Sequence, residues 1–217
     1  MIGKIKKFSF KSLLILNTFA LIVTSFFFNN FILIGVFTLF FFISLLTTKN
    51  GLKIIKELNL LQTIRPEGPA NHYQKSNTPT LGGVFMIIPF LIFLLIITIN
   101  IGSPKLFLLL LTIFGFFITG FLDDFLSIKN KRNTGLKTKE KFFLQSIISI
   151  IFILLAYEKN LINPLITVSD YWEINTNIFI LPISFLVLVG ISNSVNLTDG
   201  LDGLAAGCSG IVFYGLG

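Results

Sequence analysis

Between Leu81 and Leu122 the chain carries a single charged residue, Lys105. One bilayer crossing takes about 20 mostly apolar residues, so this stretch is long enough for two. Asn100, Gly102, Ser103 and Pro104 are the turn-forming residues that divide it. Further uncharged runs extend from Ser12 to Thr48, Phe142 to Tyr157, Ile178 to Thr198 and Leu204 to Gly217. Inside hydrocarbon an open strand would leave backbone N–H and C=O groups unpaired, so these segments are expected to be helices despite their Phe and β-branched content. The expected architecture is an all-α, polytopic integral membrane bundle with five to six membrane segments, residues 1–217 forming one membrane domain. Composition agrees: mean hydropathy is +0.87, and only 12% of residues are charged, about half the share of a soluble domain.

The net charge of +7 points to topology, and nucleic acid is not among the expected partners. Residues 49–75 carry five Lys or Arg and residues 123–141 carry six, whereas the intervening turns carry only Lys105 and Lys159. By the positive-inside rule the two rich segments, bounded as 49–80 and 123–141, are expected to be cytoplasmic loops. Counting crossings onward places Asn193 to Gly203 on the same side. The run from Ser12 to Thr48 would span about 55 Å as one helix, too long for one upright crossing. Either Asn29-Asn30 is the tip of a hairpin, which keeps Lys4, Lys6, Lys7 and Lys11 inside, or a single crossing starts near Phe31. Charge favours the hairpin. A cleaved signal peptide is not expected, because no small-residue site follows a short apolar core. Cys208 is the only cysteine and sits among small residues that suit helix packing.

Two acidic clusters stand on the rims of these segments. In Asn193 to Gly203, N-S-V-N-L-T-D-G-L-D-G, Asp199 and Asp202 follow a stretch with no charge from Ile178 to Val195. Three residues apart, they share a face if the chain is helical there, and Gly200 and Gly203 permit a ligand close to the backbone. Helix capping accounts for one Asn, Thr or Asp ahead of an apolar run, but not for two Asn, one Thr and two Asp together. The second cluster, Asp123-Asp124, ends another apolar run. Adjacent helical positions point about 100° apart, so the two carboxylates would take different roles. Alone, such a pair is as readily a helix end paired with Lys129, Lys131 or Arg132. Hard oxygen donors of this kind suit Mg²⁺, held through one or two carboxylates and substrate phosphates. In the Pro- and Gly-rich stretch from Gln62 to Gly83, Lys75 and Thr80 could hold an anionic group near the bilayer surface. His72, the one histidine, reads as a loop residue. The basic run Lys129 to Lys141 suits anionic headgroups or a polyanionic substrate.

Together the motifs resemble the polyprenyl-phosphate sugar-1-phosphate transferases. The resemblance rests on R-P-E-G-P-A-N-H-Y-Q-K-S-N-T-P-T-L-G-G from Arg65, G-F-L-D-D-F from Gly120, T-G-L-K-T-K-E-K-F-F-L-Q from Thr134 and N-S-V-N-L-T-D-G-L-D-G-L-A from Asn193. The first of these points to the muramoyl-pentapeptide branch. The resemblance implies a Mg²⁺-dependent transfer at the cytoplasmic face of the bacterial inner membrane, from UDP-N-acetylmuramoyl-pentapeptide to undecaprenyl phosphate, with UMP released. It implies that Asp123 and Asp124 are catalytic and that Asn196, Asp199, Gly200 and Asp202 line the nucleotide site. Lys75, Thr80, Lys131 and Lys139 match substrate-contact positions. Membrane lipids are further partners, and a homodimer is left open. Members of the family continue past Gly217 with a metal-binding Asp and a His-rich loop. A truncated product or an incomplete sequence is therefore expected. A transferase using another UDP-N-acetylhexosamine and an inactive remnant are the alternatives. A transporter fits less well, since these acids lie on the rims and not at mid-bilayer, where transport sites lie.

Overall fold

A computed structural model describes residues 31–60, 80–131, 135–169, 172–199 and 203–216. The amino-terminal hairpin expectation, Lys75, His72, Gly200 and Asp202 lie outside the described residues. Six helices are present among those described: α1 Phe31–Glu57, α2 Gly82–Ile101, α3 Pro104–Asn130, α4 Thr138–Glu158, α5 Ile180–Thr198 and α6 Leu204–Leu216. Between α4 and α5 lies a hairpin of β1 Leu165–Ser169 and β2 Trp172–Asn175, followed by a 3₁₀ turn at Asn177–Phe179. Five of the helices are long and apolar enough to cross a membrane, and the chain is a multi-pass membrane protein. The division at Asn100 to Pro104 appears as expected. Gly102 takes a left-handed conformation at φ 65° and closes α2, while Pro104 opens α3, where its missing N–H is no loss.

The charged segments differ from the expected loops. Residues 49–57 belong to α1, 123–130 to α3 and 138–141 to α4. Charge marks where a helix leaves the hydrocarbon, not where its own backbone bonds end, so a helix continues into the interface. The hairpin departs from an all-α reading for a similar reason. Outside the bilayer core Ile166, Thr167 and Ile174 pair as strand residues, with Ile166 opposite Ile174 and Thr167 opposite Glu173.

Consecutive helices pack as neighbours, α1 on α2, α2 on α3, α3 on α4, α4 on α5 and α5 on α6. Small and polar residues set the spacing, as lipid tails give apolar helices little reason to prefer one another. On α1, Thr47, Gly51 and Ile55 recur every fourth position. Thr47 Oγ1 donates to the backbone oxygen of Phe85 at 2.8 Å, Gly51 has the Phe85 ring where a Cβ would stand, and Ile55 is buried. On α3, a Cβ at Gly115 would come within 2.9 Å of Ile148 of α4. The buried face of α4 continues as Gln145, Ser149, Ile153 and Ala156.

Overpacking a close helix contact costs about 1–3 kcal/mol. Gly51→Leu is therefore expected to lower the thermal midpoint of the chain in detergent, and Phe85→Ala in the same chain to restore part of it. Unchanged midpoints in the single variant would show that α1 and α2 do not meet at Gly51.

Candidate active site

From Pro104 to Asp124, α3 rises about 30 Å, the thickness of a hydrocarbon core. Asp123 and Asp124 therefore stand where the helix leaves the apolar layer, with two further turns beyond them. A pair of carboxylates at that depth needs neutralising partners. The adjoining segments bring them.

Asp123 is approached from α4. Gly135 lies so near α3 that a Cβ there would collide with the backbone oxygen of Asp123. This contact seats Leu136, whose backbone N–H donates to Asp123 Oδ1 at 2.9 Å. Lys137 N then donates to Glu140 Oε2 at 2.8 Å, half of a capping box that starts α4. One turn later Lys141 Nζ lies 2.8 Å from Asp123 Oδ2. The same ammonium donates to Asn196 Oδ1 on α5. Lys141 and Asp123 have side chains only 20% and 25% exposed, so the pair is partly shielded from water.

Asp124 is approached from α2. Thr80 N donates to Leu60 O at 3.1 Å, which ties the end of α1 to the start of α2. Leu81 then adopts φ 64°, a left-handed conformation costing a non-glycine residue about 1–2 kcal/mol. That geometry aims the Leu81 N–H at Asp124 Oδ2, 3.3 Å away, and the Thr80 side chain hydrogen-bonds the same carboxylate. The amino ends of α2 and α4 thus both face the acidic pair, and the partial positive charge of each favours an anion there.

Beneath this rim a polar seam joins α4 to α5. Gln145, one turn from Lys141 and 1% exposed, donates to Ser192 Oγ at 3.1 Å. It accepts from Asn193 Nδ2 at 2.8 Å. Both ends of its amide are used, which suits so buried a polar group.

The residues singled out from the sequence fall into three sets. Asp123, Asp124, Thr80 and Asn196 come together. Asp199 caps α5 three residues beyond Asn196 and is exposed. α5 ends at Thr198 and Asp199 has ψ 43°, while its expected partner Asp202 lies outside the described residues. Lys131 and Lys139 are exposed, and among the described residues it is Lys141 that reaches the carboxylates. Lys141, Gln145 and Asn193 join the site without being singled out by the motifs. Their signal was the spacing K-x-x-x-Q-x-x-x-S at the head of an apolar helix, a polar stripe with no reason to exist on a lipid-facing surface. Asp123 and Asp124 offer hard oxygen donors of the type Mg²⁺ accepts, with substrate phosphates and water completing its shell. Among the described residues no three His, Cys, Asp or Glu side chains converge.

Comparison with known proteins follows the same lines. The model of glycosyl transferase family 4 matches residues 106–217, which contain Asp123, Asp124, Lys141 and Asn196. The chain is 86% identical over 217 residues to the phospho-N-acetylmuramoyl-pentapeptide-transferase of Prochlorococcus marinus (strain MIT 9312), covering all of this chain and 61% of that protein. The same-named protein of Prochlorococcus marinus subsp. pastoris is 57% identical over 217 residues, 60% of its length. That of Halalkalibacterium halodurans is 38% identical over 175 residues, 80% of this chain and 54% of the relative. The chain spans about three-fifths of the length of the first two relatives.

A partly shielded ion pair predicts a reactivity order. Lys141 should be labelled by an amine-reactive probe several-fold more slowly than Lys139 or Lys131, read by mass spectrometry on the folded chain, and Asp123→Asn should remove that protection. Equal rates at all three lysines would contradict the bridge.

Proposed function

The chain belongs to glycosyl transferase family 4, and we propose that it is the site-bearing part of a transferase that moves phospho-N-acetylmuramoyl-pentapeptide from UDP-N-acetylmuramoyl-pentapeptide to undecaprenyl phosphate. The observation that carries this reading is the convergence of the Asp123-Asp124 pair with Lys141, Thr80 and Asn196 at the rim of the membrane segments. There a lipid-borne phosphate and a soluble nucleotide sugar can meet. The shared name of the relatives supplies the substrates. The membrane is the bacterial inner membrane and the rim faces the cytosol, in keeping with the Lys and Arg excess of the segments at that end.

In the reaction an oxygen of the lipid phosphate forms a bond to the β-phosphorus of the nucleotide sugar. The bond from that phosphorus to the bridging oxygen breaks, and UMP leaves with that oxygen. Transfers of this kind depend on placement and charge neutralisation more than on covalent help. Mg²⁺, for which Asp123 or Asp124 offers an oxygen ligand, would neutralise phosphate charge. Asp123 is engaged by Lys141 and Leu136, and its part is to fix the ammonium toward Asn196. Among the described residues Asp124 receives hydrogen bonds from Leu81 and Thr80, and it is the carboxylate left to orient the acceptor phosphate or take its proton. Asn196 and Asp199 present oxygen and amide groups to the nucleotide, with Gly200 and Asp202 in the same segment. Lys75 comes from the segment preceding Thr80.

The test is Mg²⁺-dependent UMP release from UDP-N-acetylmuramoyl-pentapeptide and undecaprenyl phosphate, by this chain and by one extended to the relatives' length. Asp124→Asn and Asp199→Ala should each lower turnover at least about 100-fold while leaving membrane insertion intact. Near-normal rates in either variant would remove that residue from the site. Release with UDP-N-acetylglucosamine in place of the muramoyl substrate would move the proposal to another branch, and no release by the extended chain would overturn it.

A further inference from the structure

The β1–β2 hairpin lies at the end of the bundle opposite Asp123 and Asp124, since it joins the far end of α4 to the beginning of α5. Its register sorts its residues by chemistry. Ile166 pairs with Ile174, and Trp172, two residues before Ile174, shares their face, because side chains alternate along a strand. On the other face Leu165 pairs with Asn175 and Thr167 with Glu173, a polar surface apart from Leu165. The apolar face is open: Ile166 is 38% exposed, Ile174 42% and Trp172 62%. Among the described residues neither strand packs extensively on a helix.

A two-stranded hairpin is marginal on its own in water and needs a surface to lie on. Chain length restricts which surface is within reach. Asn160 N and Leu161 N donate back to Tyr157 O and Ala156 O at 3.0 and 2.8 Å, so the chain turns at once on leaving α4. Thr176 then closes the base, its N–H and its hydroxyl both donating to Pro164 O, at 2.9 and 2.7 Å. The 3₁₀ turn and α5 follow directly, with Ile178 and Phe179 also exposed, at 68% and 69%. The open apolar face is thus held within a few residues of the ends of two membrane-crossing helices. Tryptophan and isoleucine beside a polar face is the composition of an interfacial element.

We propose that this hairpin is a membrane-interface anchor. It lays Ile166, Trp172 and Ile174 into the boundary between headgroups and acyl chains at the end of the bundle opposite the acidic pair, with Thr167, Glu173 and Asn175 facing water. The anchor fixes how far α4 and α5 rise through the bilayer, and so the height at which Lys141 and Asn196 stand at the other rim.

Trp172 is the only tryptophan in the chain, so its fluorescence reports this face alone. The 217-residue chain is reconstituted in phosphatidylcholine–phosphatidylglycerol vesicles containing lipids brominated near the top or near the end of the acyl chain. Emission should be blue-shifted, quenched several-fold more by the shallow bromines than by the deep ones, and protected from aqueous iodide. Ile174→Asp should shift the emission red and admit iodide, whereas Glu173→Lys, on the opposite face, should not. Red emission open to iodide with no bromine quenching would place the hairpin in water and overturn the proposal. Blue emission untouched by either bromine would mean that protein covers the face, and would overturn it equally.

Discussion

The ammonium of Lys141 is the contact on which the rest of this architecture depends. Two adjacent carboxylates at the boundary of the hydrocarbon repel each other and lose hydration, a combination that persists only with partners in place. Lys141 neutralises Asp123 and in the same stroke holds Asn196, so one side chain from α4 joins α3 to α5. The backbone N–H groups of Leu136 and Leu81 reach the two carboxylates from the starts of α4 and α2. Four helices are thereby referenced to one pair of acids.

What lies below the rim keeps that reference rigid. Gln145 closes the α4–α5 contact through Ser192 and Asn193, and Gly115 lets α3 and α4 approach at Ile148. Gly135 does the same at the rim, and only a residue without a side chain could pass so near Asp123 O. Each such polar contact specifies a single register, which apolar packing alone does not. The strained Leu81 belongs to the same design: its φ of 64° is held because the N–H it aims is the one Asp124 accepts.

Much of this was legible in the chain before any coordinates. Bilayer crossings appear as gaps between charges, so the division at Asn100 to Pro104 and the ends of α2 and α5 are readable to within a residue or two. The gathering of the two acidic clusters at one end follows from counting crossings, and the Lys141–Asn196 contact realises it. Helix phase was harder to read. In T-G-L-K-T-K-E-K three lysines alternate, and which one turns inward depends on where α4 begins. That start is set by Gly135 against Asp123 and by Glu140 capping Lys137, contacts made between segments. The family resemblance points to Lys139, while the lysine that reaches Asp123 is Lys141. Asp202 lies outside the described residues, and the hairpin is hard to read because its strands are short and fall between two stronger helical signals.

A double-mutant cycle on Asp123 and Lys141 tests the central claim most directly. Unfolding free energies are compared for the chain, Asp123→Asn, Lys141→Met and the double variant in bicelles. If the bridge organises the rim, the two substitutions should couple by about 1 kcal/mol or more, the second costing little once the first is made. Strict additivity, with both single variants folded, would mean that the carboxylate and the ammonium stand near each other without holding the site together.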